Sequence, residues 1–133
     1  MKIPATLKYL LVMLAGIAVI FAGSKFQSNP LPPKGEYFLS EWLRNNFTWP
    51  VRIIFCFAGF LAGYFMKLNP ILTGISLSAV FPVIAIYEAT VHRGSHNLIP
   101  LEFITFIIWS LPAVLAAYAG ASVARKRIKK SNV

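Results

Sequence analysis

Polar residues fall in blocks along this chain. Over roughly 7–23, 51–68, 71–91 and 101–124 nearly every position is apolar, and the charged residues gather in the links between. Each run is close to the ~20 residues with which an α-helix crosses a ~30 Å hydrocarbon layer. The pattern predicts an all-α membrane protein: four transmembrane helices in an antiparallel bundle, forming a single integral membrane domain over 1–133. In such a solvent a helix must satisfy its own backbone, because lipid offers no hydrogen bonds.

One shorter segment has a different rhythm. Over 36–47, Leu39, Trp42, Leu43 and Phe47 recur at helical spacing, with Glu41, Arg44 and Asn45 on the other side. This predicts a short amphipathic helix between the first two spans. Its polarity and length rule out a crossing. It either lies flat at the outer interface, with Trp42 and Trp49 at headgroup depth, or caps the mouth of the bundle as a lid.

The links read clearly. Ser28–Gly35 is Pro-rich and extended. Lys67-Leu68-Asn69-Pro70 is a tight turn in which Asn69 caps the following helix and Pro70 takes its first position. The second and third spans therefore form a hairpin. Pro100 and Glu102 mark the start of the fourth span, where an acidic side chain suits the positive end of the helix dipole. The first span is read as a retained helix, since its apolar run exceeds that of a signal segment and ends without a small-residue cleavage site.

Composition sharpens this picture. Only 13% of residues are charged, against about 25% in soluble domains. The formal charge of +9 would suggest nucleic acid in a soluble protein, but here the basic residues flank apolar runs and no aromatic–basic platform accompanies them. The closing run Arg125, Lys126, Arg127, Lys129 and Lys130 instead suits anionic lipid headgroups. With Lys2, Lys8 and Lys67 it places both termini in the cytoplasm, and the expected location is a bacterial inner (plasma) membrane. Cys56 is the only cysteine, so no disulfide within the chain and no zinc pattern is possible. The triplet Asn46-Phe47-Thr48 matches a glycosylation acceptor by sequence alone.

Small residues should hold the helices together, since lipid tails supply no hydrophobic drive. Gly59 and Gly63 form a GxxxG pair, and Ala113, Ala116, Ala117, Gly120 and Ala121 line the fourth span at three- and four-residue steps. These strips serve packing within the chain, or one of them, Gly59/Gly63, meets another protein chain or a second copy. Pro82 and Pro112 fall near the middle of the third and fourth spans and predict kinks that free the carbonyls of Ser78 and Ile108.

One cluster could carry chemistry. Glu88 lies near the outer end of the third span, where ionisable residues are rare and usually paired. His92 and His96 follow at helical spacing, and Glu102 opens the next span. Glu88, His92 and His96, with Glu102 as a further ligand, could hold a transition metal if the helix ran through Gly94. Otherwise Glu88 pairs with Arg52 or Arg93, and the set Glu88, His92, His96, Glu102 and Arg52 forms a polar girdle. No metal or other cofactor is expected. A Ser-His-Asp set is excluded, because all four acids are glutamates and both histidines share one link. No phosphate or dinucleotide glycine motif occurs.

The outline of about four helices in a short chain is shared by small multidrug exporters, fluoride channels and eicosanoid enzymes. The first span lacks the intramembrane Glu of the exporters, and the Arg/Asn-rich signature of the eicosanoid enzymes is absent. Outline alone carries no function. The expected role is a non-catalytic accessory or structural subunit. The alternatives are a small oligomeric transporter or channel using Glu88 and a kinked midplane with Thr73, Ser76, Ser78, Thr105 and Ser110, or a metal-dependent membrane enzyme.

Overall fold

The computed structural model describes residues 3–27, 38–91 and 99–131. Their regular structure is entirely helical, in six segments: α1 (Ala5–Phe26), α2 (Phe38–Asn46), α3 (Trp49–Met66), α4 (Pro70–Ser78), α5 (Val80–Val91) and α6 (Ile99–Ser131). Three of them, α1, α3 and α6, are long and apolar enough to cross a membrane. The α4–α5 pair passes the same test jointly but is bent by 41°. The proportions are consistent with membrane integration, with three crossings or, if the bent pair is one span, four.

The expected continuous helix over 71–91 is therefore corrected to two helices that meet at Ala79. The cause is local. Pro82 has no N–H to give the carbonyl of Ser78, so the ladder fails one turn before the proline. The Ala79 amide turns back to the Ser76 carbonyl at 3.2 Å, and normal spacing resumes with Val83 donating to Ala79 at 3.1 Å. Pro112 has no such effect on segmentation: it lies inside α6, which runs on without interruption. That helix also continues past 124, so Arg125–Lys129 extends from the bundle as exposed helix.

The turn between α3 and α4 follows its sequence. Lys67 adopts the left-handed conformation (φ 52°) that ends α3. The Asn69 side chain then accepts from the amides of Ile71 and Leu72 at 3.0 and 3.4 Å, and Pro70 occupies the first turn of α4.

Helix α6 is the spine. It packs along α3 and α4, α1 lies against α4 and α3, and α5 rests mainly on α2. The two ends of the α3–α6 pairing are built differently. Toward Met66, backbone touches backbone. A Cβ on Gly63 would overlap the Ala117 carbonyl, one on Gly120 would overlap that of Phe60, and one on Gly59 would come within 2.8 Å of that of Ala113. Gly59 and Gly63 are thus consumed in packing inside the chain, which corrects their reading as a face for another chain. Ala113, Ala117 and Ala121 are buried with them, whereas Ala116 is one step round the helix and only half-buried.

Toward α2 the space is filled by rings. Phe47 meets Phe55, Phe81 and Trp109 at centroid distances of 5.5, 5.0 and 5.2 Å, and Phe81 stacks on Phe106 at 5.6 Å. Large apolar side chains such as Ile53, Phe57, Phe65, Ile104 and Leu115 are exposed around the outside. An aqueous surface would not tolerate that belt, and lipid would.

Candidate functional site: the Glu88 cap and its surroundings

Glu88 is buried to 3% exposure on α5. Both of its carboxylate oxygens accept hydrogen bonds. The amides of Leu39 and Ser40 donate to Oε1 at 2.5 and 3.1 Å, and the Ser40 hydroxyl donates to Oε2. These amides belong to the first turn of α2, where a helix has N–H groups without internal acceptors and a positive dipole end. The residue before Phe38 is Tyr37, which carries no short acceptor side chain. Glu88 supplies the cap from 49 residues away, and the short segment gains its missing acceptor from another helix.

The rest of α2 closes over the rings. Trp42, Leu43 and Asn46 are buried, and Phe47 follows them into the core, while Glu41, Arg44 and Asn45 are exposed. Trp42 packs against Phe21 at 5.2 Å. Gln27, just past α1, donates to the carbonyls of Gly23 and Asn46 at 3.2 and 3.4 Å, which ties the ends of α1 and α2 together. The segment observed is Phe38–Asn46, shorter than the expected 36–47, and residues 36 and 37 lie outside the described residues. Trp49 is exposed, as an interfacial residue would be, but Trp42 is not.

Arg52 does not pair with Glu88, contrary to one sequence reading. Its Nε donates to the Phe47 carbonyl at 2.8 Å, and its guanidinium lies 5.3, 5.4 and 6.0 Å from the ring centroids of Phe47, Trp49 and Trp109. The planar cation spreads over rings, an arrangement open to arginine and poorly matched by lysine. Glu102 is half-buried and within electrostatic range of both Glu88 and Arg44. Arg93, His92 and His96 lie outside the described residues. Among the described residues no His, Cys, Asp and Glu gather as a ligand set, and both Glu88 oxygens already accept from α2. Cys56 is a free thiol, half-buried on α3.

The hydroxyls expected near the middle of the spans are mostly spent on their own helices. Thr73, Thr105 and Ser110 donate to Asn69, Leu101 and Ile107 carbonyls at 2.8, 3.0 and 2.8 Å. Ser78 differs. It is 4% exposed, its Oγ has no hydrogen-bond partner, and it lines a cavity of about 290 Å³ at the α4–α5 break with Ala79, Pro82, Phe106 and Ser110.

Sequence reasoning singled out Glu88 but not its partner. A usable signal exists: a carboxylate in an apolar run requires donors, and a short helix without a capping residue has donors to offer.

At the opposite end, Lys8 Nζ reaches the Met66 carbonyl at 3.3 Å and Arg127 Nη1 donates to the Tyr64 hydroxyl at 2.7 Å. The basic residues at 8, 67 and 127 therefore share one end of the molecule. All three described acids, Glu41, Glu88 and Glu102, belong to the α2 end. Compared with protein-family models, with curated proteins and with solved structures, the chain matches none. Its own residues carry the functional reading, and the class they define is a small multi-helix protein with the proportions of membrane integration.

Proposed function

We propose that this protein is a small multi-pass membrane subunit without catalytic chemistry of its own, which presents the α2 cap as a fixed platform to a larger membrane assembly or to a second copy. In this reading the bent α4–α5 pair is one crossing, four helices span antiparallel, α2 lies at the outer face, and the basic end with both termini is cytoplasmic. A bacterial inner membrane is the compartment that suits the positive-inside distribution.

The observation that carries the proposal is the engagement of Glu88. This buried carboxylate on an apolar helix is engaged in holding α2, where a proton relay or metal site would need it exchangeable. What that arrangement supports is architecture: α2 is held at its first turn by Glu88 and at its last by Gln27, with Glu41, Arg44 and Asn45 facing outward. The test is purification from native membrane in mild detergent. A stoichiometric membrane partner, or a defined oligomer, is expected, and its yield should fall for Glu41→Lys combined with Arg44→Glu while the fold persists. A chain that elutes alone as a monomer from native membrane would defeat the proposal.

The unpartnered Ser78 hydroxyl favours one second reading. Interrupted membrane helices mark solute sites in many carriers, because their ends expose backbone groups to a cavity. A small transporter using the α4–α5 break would lose flux in liposomes on Ser78→Ala and keep it on Ser110→Ala if Ser78 is the contact. Equal flux in both would remove that reading.

A further inference from the structure

We infer that the basic end of the bundle contains a defined binding site for an anionic phospholipid, with its phosphate between Lys67 and Arg127. The inference rests on membrane integration and not on the subunit proposal, so either can fail alone. A cavity of about 410 Å³ opens at this end, lined by Tyr64, Phe65, Lys67, Ala124, Arg127 and Ile128. Its cations are placed by the fold. Lys67 sits at the left-handed turn that ends α3. Arg127 is held by its Nη1 donation to Tyr64, whose ring stacks on Phe60 at 6.4 Å. The remaining guanidinium donors have no acceptor among the described residues, and no described carboxylate lies at this end.

Two cations without a counter-anion among the described residues, one of them a planar fork, suit an oxyanion such as phosphate. The walls specify what the phosphate is attached to. Phe65 and Ile128 are exposed beside the cations, on the flank that acyl chains would cover. A soluble anion would gain nothing from those walls, whereas a headgroup with its chains uses both parts of the site. A net negative headgroup such as phosphatidylglycerol matches the charge, and a zwitterionic one leaves its own cation against Lys67 and Arg127.

The experiment compares lipid retention by native mass spectrometry and thermal stabilisation in detergent. Phosphatidylglycerol should be retained and should raise the melting temperature, and phosphatidylcholine should do neither. Lys67→Gln with Arg127→Gln should weaken phosphatidylglycerol binding on the order of tenfold. Lys126→Gln with Lys129→Gln, which removes equal charge from the same exposed helix outside the cavity, should weaken it less than about twofold. Tyr64→Phe, which keeps every charge, should weaken binding measurably by releasing Arg127, and so serves if the double variant does not fold. Equal losses in both double variants would show diffuse surface attraction and overturn the site. The same stabilisation by inorganic phosphate alone, or by phosphatidylcholine, would overturn it as well.

Discussion

The Met66 half of the α3–α6 pairing and the half beneath α2 solve one problem in two ways. In both, helices with apolar outer faces must adhere, and lipid would supply no hydrophobic drive for it. At the Met66 end they adhere by proximity: Gly59, Gly63 and Gly120 let carbonyls and Cα atoms approach until dispersion contacts accumulate. At the α2 end, rings fill the space between the helices, and polar contacts join the segments, from Glu88 to the α2 amides and from Arg52 to Phe47. Proximity is distributed over many small residues, and each is intolerant of growth. The polar junction is concentrated on a few side chains, and each is intolerant of removal.

The largest expected effect follows from that difference. Gly63→Val or Gly120→Val inserts atoms where a carbonyl already lies, so the α3–α6 seam must open, at a cost of about 3 kcal/mol or more. Thermal unfolding in detergent should drop sharply for either, and wild-type unfolding would show that the seam is not a tight contact.

Glu88→Ala should come next, at about 2 kcal/mol, because it strands the first amides of α2 and leaves the Ser40 hydroxyl unpaired. The loss should be local. Hydrogen exchange in α2 should accelerate while α3 and α6 keep their protection, and Glu88→Gln should fall between the two. Uniform acceleration across all helices would mean that the cap and the seam are one cooperative unit.

Arg52→Lys keeps the charge but gives up the flat guanidinium over Phe47, Trp49 and Trp109, for a loss of about 1 kcal/mol. A change in tryptophan fluorescence should accompany it. Ser78→Ala removes a buried hydroxyl that makes no hydrogen bond, so stability should hold or rise by about 0.5–1 kcal/mol. A clear destabilisation would mean that Ser78 has a partner in the membrane.

How far these features were legible in the sequence depends on their range. The Asn69 cap and the small-residue strips could be read because donors, acceptors and helix periodicity lie within a turn of one another. The break at Ala79 was half-legible. Pro82 announced a lost hydrogen bond, but a proline does not say whether its helix bends or parts, and Pro112 leaves α6 uninterrupted. Glu88 was identifiable as out of place, yet the expected partner was a cation and the observed one is the start of α2. Charge complementarity suggests arginine; the dipole and open amides of a helix end meet the same need without any charged residue in the sequence to point to them.

The order of apolar and polar residues determined by itself that the chain is helical, where most helices lie, and that three of them are long and apolar enough to cross a membrane, a solvent in which the helix is the backbone's local solution. Tertiary structure decided which strip of small residues meets which carbonyl, that Arg52 lies on rings, and that one carboxylate on α5 holds a helix 49 residues earlier in the chain. Those choices rest on distances between segments remote in sequence, and a local pattern holds no information about them.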